Sequence, residues 1–338
     1  MVKLSHFRRI ASSISLLVCV LLVVGCQGTG LGKPFAEGHL ERGSAALERR
    51  EFDAAIAELK QAVRLDPQRA EAHFKLGVAY KEDGQLDNAA FSLEESLRLK
   101  PDDFATAFNL GEVYRLLKKF SQAVRAYAQA VRNNPDDFDA QYRLAGVYHD
   151  SGDFGNAVRT YEAALRLEPR NASAWCNLGA AHDAAGDAYS AIAAYRRSLE
   201  CNTSQPAVLV NLATVYLNQE RFATARKTLE AAIKLDGKLS VAFERLAYCL
   251  WREQRYEDAA KNYATAIELD GQNARAHAGY GVVRMTQSLA DGNRADYRDA
   301  AIEAWHRSLE LDPRQPKLRE LIDKYRPRGA TPIISADG

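Results

Sequence analysis

Set in rows of 34 residues that begin at Ala36, Ala70, Phe104, Phe138, Ala172, Pro206, Ser240 and Ala274, the chain repeats one pattern of apolar and polar positions. Each row holds two stretches in which apolar residues recur every three or four places. That spacing predicts two amphipathic helices per row, A and B. Position 20 is alanine throughout, from Ala55 and Ala89 to Ala259, then Ala301 after an eight-residue insertion in the last row. Position 8 is Gly or Ala, as in Gly43, Gly77, Gly111, Ala145 and Gly281. Position 27 is Ala or Ser, and position 24 is large: Leu59, Leu93, Tyr127, Tyr161, Tyr195, Leu229, Tyr263 and Trp305. Small residues at 8 and 20 let antiparallel helices approach toward the short end of the ~8–10 Å range of interaxial distances. The large residue at 24, with leucine at position 7 (Leu76, Leu110, Leu144, Leu178, Leu212, Leu246), fills the layer between rows. Position 32 is Pro67, Pro101, Pro135, Pro169, Thr203, Gly237, Gly271 and Pro313. It is expected to end helix B, proline by loss of a donor and glycine by a left-handed cap. Asp103 and Asn171 stand where each caps the next helix A.

The start of the chain follows another pattern. Residues 1–25 carry Lys3, Arg8 and Arg9, no acid, and an apolar run from Ile10 to Val24. That run is too short for a comfortable membrane span and matches the core of a secretory signal. Leu22-Val23-Val24-Gly25-Cys26 resembles the lipobox of bacterial lipoproteins. The resemblance implies a diacylglycerol on the Cys26 thiol, cleavage before it, and lipid anchoring in the bacterial cell envelope. Gln27 in place of Asp leans toward the outer membrane over the inner in a Gram-negative cell. An ordinary signal with a chance cysteine is the alternative. Residues 26–35 read as the lipidated Cys and a glycine-rich tether. Gly28 to Lys33 is not a phosphate-binding loop, because no Gly sits five residues before Gly32 and Pro34 replaces the Ser or Thr that holds Mg²⁺.

The 34-residue period with its small, small, aromatic, proline order resembles the tetratricopeptide family. The resemblance covers residues 36–313 as eight helix-turn-helix repeats and implies an all-α, right-handed superhelical solenoid. Row one departs from the pattern at Arg42. In row eight, Met285 to Asp296 is expected to prolong helix A and add a loop at Asp291-Gly292-Asn293. Residues 314–325 are expected to form a capping helix and 326–338 a disordered tail.

The resemblance also implies a concave face lined by positions 2, 5, 6, 9, 12 and 13 of helix A. Asn109, Asn177 and Asn211 at position 6 resemble the Asn ladder with which the solenoid of O-linked N-acetylglucosamine transferase grips an extended peptide by its backbone. An amide, with one acceptor and two donors, matches a peptide unit. Lys75, Arg143 and Arg245 interrupt that ladder and favour partners that carry carboxylates. Phe74, Phe108 and Tyr142 at position 5 and Arg115 at position 12 complete the expected groove. The bland reading makes position 5 partly packing and the charges a solvated face.

Composition changes this picture little. The 45 Lys+Arg balance 44 Asp+Glu, and 47% of the 338 residues are hydrophobic, so neither wholesale disorder nor a basic nucleic-acid binder is indicated. Cys176, Cys201 and Cys249 have no metal-ligand spacing and read as small buried thiols. His39, His73 and His277 share position 4 and read as packing. His149 and Asp183 are a possible pair without a nucleophile, and no catalytic fingerprint appears. The expectation is therefore a non-enzymatic, membrane-anchored scaffold without cofactor or metal. It would bind extended or acidic protein segments and aid assembly of an envelope complex such as pilus, secretion or cell-wall machinery. Two alternatives stay open: an architectural lipoprotein acting through its convex face or self-association, and an enzyme with a hydrolase or transferase activity in the groove.

Overall fold

The computed structural model describes residues 33–326, which form seventeen helices in two compact units. Residues 1–25, expected to be a signal, Cys26 and residues 327–338 lie outside the described residues. Unit one holds α1 (Lys33–Glu48), α2 (Phe52–Leu65), α3 (Ala70–Glu82), α4 (Leu86–Leu99), α5 (Phe104–Leu116), α6 (Phe120–Asn133), α7 (Phe138–Asp150) and α8 (Phe154–Leu167). Unit two holds α9 (Ala172–Ala184), α10 (Ala188–Cys201), α11 (Pro206–Asn218), α12 (Phe222–Leu235), α13 (Ser240–Arg252), α14 (Tyr256–Leu269), α15 (Ala274–Ala290), α16 (Ala295–Leu311) and α17 (Pro316–Tyr325). Through α16, odd numbers are A helices and even numbers B helices. In a typical row a 13-residue A helix, a three-residue turn, a 14-residue B helix and a four-residue link make up the 34-residue period. Helix α1 begins at Lys33, inside the stretch read as tether, because Pro34 is tolerated in a first helical turn where its missing N–H needs no partner.

Close approach of A to B is visible at the glycines. A Cβ on Gly111 would lie 2.7 Å from ring carbons of Tyr127, and one on Gly77 2.6 Å from Leu93 Cγ. Tyr127 and Leu93 are wholly buried, so neither ring nor branch has room to retreat. Serines at position 27 tie the same pair of helices: Ser96, Ser198 and Ser308 donate to the carbonyls of Ala70, Ala172 and Ala274 at 2.8–2.9 Å. Each of these is the first residue of the A helix in the same row, so a buried hydroxyl and a buried carbonyl are satisfied together.

The A–B turns carry a constraint that the columns did not reveal. In each regular row the residue after the turn's apex donates its N–H five residues back, as Gln85 to Tyr80, Lys119 to Tyr114 and Arg221 to Tyr216, at 2.8–2.9 Å. That six-to-one bond requires a left-handed residue just before the donor. Gly84, Gly152 and Gly186 supply it, and Arg50, Lys118, Glu220 and Gln254 adopt it with φ between 56° and 61°. The glycines expected to be left-handed at the end of helix B are not. Gly237 and Gly271 are absent from the positive-φ residues. They stand where other rows have proline, after C-caps that are already extended, so the chain leaves helix B without a left-handed step.

The caps on the B–A side agree with the columns and extend them. Asp103 and Asn171 accept from Thr106 and Ala174 N–H, and Asp137 and Asn273 do the same for Ala140 and Ala276. The insertion lengthens both helices of the last row, to 17 residues each, around a turn in which Gly292 and Asn293 have positive φ. Helix α17 then covers the end of unit two, with Leu318 and Ile322 buried against Met285, Ala301 and Trp305.

Gly111→Ala and Gly155→Ala are expected to change stability in opposite directions. Alanine normally stabilises a helix interior relative to glycine by up to ~1 kcal/mol. At Gly155, in the first turn of α8, a Cβ meets nothing within 4 Å, so a part of that gain is expected. At Gly111 overpacking against Tyr127 outweighs it, for a net loss of about 1–2 kcal/mol. Urea unfolding of the two variants checks this, and a stabilised Gly111→Ala would refute the close-packing account.

Candidate functional site

In unit one, side chains at positions 6, 9 and 12 join successive A helices and so share one face. Lys81 on α3 donates to Asn109 Oδ1 on α5 at 2.9 Å, and Asn109 Nδ2 donates to its own helix at Ala105 O, also at 2.9 Å. The amide read as a peptide grip is thus engaged at both ends. The hub of the face is Glu112, at position 9 of α5. It takes Arg115 at 2.8 Å, Arg143 of α7 at 3.4 Å, and a hydrogen bond from the Tyr127 hydroxyl. Burial pushes the Glu112 carboxyl up, but the bonds from Arg115 and Tyr127 and the charges of both arginines outweigh it and hold the pKa below the ordinary value. Burial and the same carboxylate push the Tyr127 phenol up. Arg115 Nε is itself buried without a partner, which leaves its guanidinium incompletely satisfied. Lys75 is half-buried and has no ion pair among the described residues.

The aromatic residues expected in this groove are pinned from beneath. Phe108 lies 5.8 Å from Phe104 and edge-on to Tyr127 at 5.7 Å. Tyr142 lies 5.6 Å from Phe138 and edge-on to Tyr161 at 5.8 Å. Phe74 is half-buried against the core of unit one. Each offers one edge or face outward and spends the rest on packing.

Unit two arranges its charges differently. Arg245 on α13 reaches back to α11, where its guanidinium donates to Val210 O at 3.3 Å and to the Thr214 hydroxyl. Burial pulls its pKa down. It therefore brackets two A helices and does not stand free as a cation for a ligand. Asn177 is half-buried and makes polar contacts of its own, while Asn211 is exposed on α11. Of the neighbouring carboxylates, Asp183 stood out in the sequence only as a possible partner of His149, and Glu244 not at all. Asp183 and Glu244 are half-buried and burial raises the pKa of both. Trp251 and Leu217 are half-buried at position 12, and Met285 belongs to the core under α17.

Position 4 has a structural task. His73 Nε2 lies 3.0 Å from Pro67 O, Trp175 Nε1 donates to Pro169 O at 2.9 Å, and His277 Nε2 lies 3.3 Å from Gly271 O. Each bonds the position-32 carbonyl that precedes its helix. His39 departs from the packing expectation and pairs with Glu58 at 2.7 Å. His149 lies edge-on to Phe154 at 5.5 Å in unit one, while Asp183 belongs to unit two. Cys176, Cys201 and Cys249 are free thiols, and burial pushes Cys249 up to about 12, which keeps it protonated and inert. Among the described residues no group of three or more His, Cys, Asp or Glu is placed to hold a metal, and no helix is long and apolar enough to cross a membrane.

Comparison with known proteins bears on this arrangement. Family models described as TPR repeat match residues 43–84 and 146–186. Models described as tetratricopeptide repeat match 108–158, 210–260 and 245–316, as well as 70–103 and 172–203. Among curated proteins none matches. Among solved structures, the Cut9–Hcn1 hetero-tetramer of APC/C is similar over 82% of this chain and 53% of that one, with 19% identity and a TM-score of 0.54. This chain thus spans about half the length of that relative. MamA covers 50% of this chain and 92% of its own, at 25% identity and a TM-score of 0.48. YrrB, a TPR protein described as having an unusual peptide-binding site, covers 59% of this chain and 99% of its own, at 20% identity and a TM-score of 0.47.

Glu112→Gln is expected to lower the thermal midpoint at neutral pH, since it strips Arg115 and Arg143 of their shared counter-charge. The folded pKa of Glu112 is depressed, so its contribution is present above the unfolded carboxylate value of about 4.3 and is lost as pH falls through the lower folded value. The gap between wild type and variant should therefore close on acidification below pH ~4. Thermal melts over that range decide the matter, and an unchanged gap would count against the charge-hub role.

Proposed function

The chain belongs to the tetratricopeptide repeat family, and from that premise we propose that it is a lipid-anchored scaffold that holds extended protein segments along its A-helix faces. The repeat fold supports protein–protein interaction as the coarse function. The finer reading is that Cys26 fixes the chain to a bacterial membrane, the outer one where two are present, and that the bound segments belong to an envelope assembly. The observation that carries the groove reading is the exposed amide of Asn211 on the same helix that Arg245 braces. A rigid A-helix face with an amide open to solvent can pair with a peptide unit at little cost in ordering. A peptide lipid anchor needs two or more acyl chains to hold stably, which the lipobox chemistry supplies.

Non-enzymatic action fits the engagement of the candidate groups. His73 and His277 bond cap carbonyls, and Cys249 is a buried protonated thiol. One observation favours the architectural alternative. A cleft of about 640 Å³ among α14, α15 and α16 is lined by Ile267, Tyr280, Ala304, Glu268, Glu303 and Arg307.

The test is in-cell crosslinking of the wild type against a Lys75→Ala, Asn211→Ala variant of equal helicity, with Cys26→Ser run in parallel. A partner crosslinked only by the wild type, and a Cys26→Ser chain that leaves the membrane fraction, are the expected results. Equal crosslinking by both chains would move the interaction off the A-helix faces, and a Cys26→Ser chain that stays in the membrane would remove the lipid anchor.

A further inference from the structure

Glu244 occupies position 5 of α13, where unit one carries Phe74, Phe108 and Tyr142. Its carboxylate is half-buried and, among the described residues, accepts no hydrogen bond and has no cation within ion-pair distance. Burial lifts its pKa, and the more distant charges of Arg245 and Arg275 do not offset that. Arg245 is turned toward Val210 and Thr214. Arg275, at position 2 of α15, is exposed and makes no ion pair among the described residues. The next A helix presents only Ala278 and Gly279 at positions 5 and 6, so neither brings a polar side chain to Glu244. The Tyr263 ring comes so close beneath Gly279 that a Cβ there would meet its ring and hydroxyl at 2.3–2.5 Å. The buried Tyr263 ring thus fills the place a side chain at 279 would take, and position 6 of this helix contributes only backbone to the face.

Glu244, Tyr248 and Trp251 fall at i, i+4 and i+7, on one face of α13. Tyr248 and Trp251 are half-buried with ring centroids 5.9 Å apart. In the same unit Asp183 on α9 is a second half-buried carboxylate without a hydrogen bond among the described residues. A carboxylate withdrawn from water without donors is costly, and the cost is recovered when a partner brings them. A lysine or arginine brings donors on an aliphatic stem, and aromatic faces accept both the stem and the charge.

We propose that the A-helix face of unit two is a receptor for a lysine or arginine side chain of an extended partner segment, with Glu244 as the acceptor and Tyr248 and Trp251 as the wall along which its stem lies. This rests on the reading of that face as a peptide groove, and it assigns unit two a basic partner segment where the arginine at 245 alone suggested an acidic one.

The test probes a randomised octapeptide array with the full chain in detergent micelles, as wild type, Glu244→Gln, Glu244→Asp and Asn211→Ala, each checked for helicity. Peptides retained by the wild type are expected to be enriched in Lys and Arg. Glu244→Gln should weaken those peptides by about tenfold or more, the scale of one charge-assisted hydrogen bond, Glu244→Asp should weaken them less, and peptides without a basic residue should bind both alike. Retained peptides with no such enrichment, or basic peptides held equally by Glu244→Gln, would overturn the inference and leave the groove reading standing. Retention of no peptide by the wild type, or retention unaltered by Asn211→Ala, would overturn both.

Discussion

The structure depends on one contact, repeated: a residue without a side chain, or nearly so, at position 8 of an A helix against a large one at position 24 of its B helix. Tyr127 over Gly111 and Leu93 over Gly77 leave no space for a methyl group. Once that distance is set, the remaining buried polar groups have one place to go. Serine hydroxyls at position 27 reach the first carbonyl of helix A, and side chains at position 4 reach the carbonyl at position 32. Because the hairpin is held from its interior, the outer face of helix A is under little obligation to packing and can differ from row to row.

The two units use that freedom in different ways. In unit one the cations of the face are largely consumed internally, Lys81 by Asn109 and two arginines by Glu112. The result is a stiff surface whose charged groups are already placed before anything binds. In unit two an arginine is folded away into the helix pair and two carboxylates are left short of donors. The first arrangement spends its electrostatics on order, and the second keeps it in reserve for an incoming group.

Much of the fold was legible because its determinants are local and periodic. Column 20 is always alanine, column 24 is always large, and Asp103 and Asn171 are N-caps in sequence and in space. The A–B turn was not legible, since Arg50, Lys118, Glu220 and Gln254 hide a left-handed position that only three glycines advertise. Gly237 and Gly271 misled in the other direction, because a glycine can stand in for proline at a helix end as well as for a left-handed cap. The site was half legible. Position 6 and position 12 residues do meet on one face in unit one, but whether a charge is free depends on neighbours about 30 residues away, as Lys81 with Asn109 and Arg245 with Val210 show. Glu112 and Glu244 carry no motif, so only their surroundings distinguish them from solvated acids.

The insertion in the last row shows how such a chain changes length. Helix α15 is four residues longer than its counterparts, α16 three longer, and the turn between them one longer. Four and three are the whole-number neighbours of one 3.6-residue turn. Each addition returns the helix to nearly the same phase, so Gly281 still meets Trp305 and Ala301 is still buried. Growth within a row is therefore stepwise: paired additions of about one turn preserve the buried stripe, whereas one or two residues added to a single helix would rotate every contact beyond them out of the interface. The tolerated lengths form a ladder whose rungs are set by helical pitch, and this row stands one rung above the others.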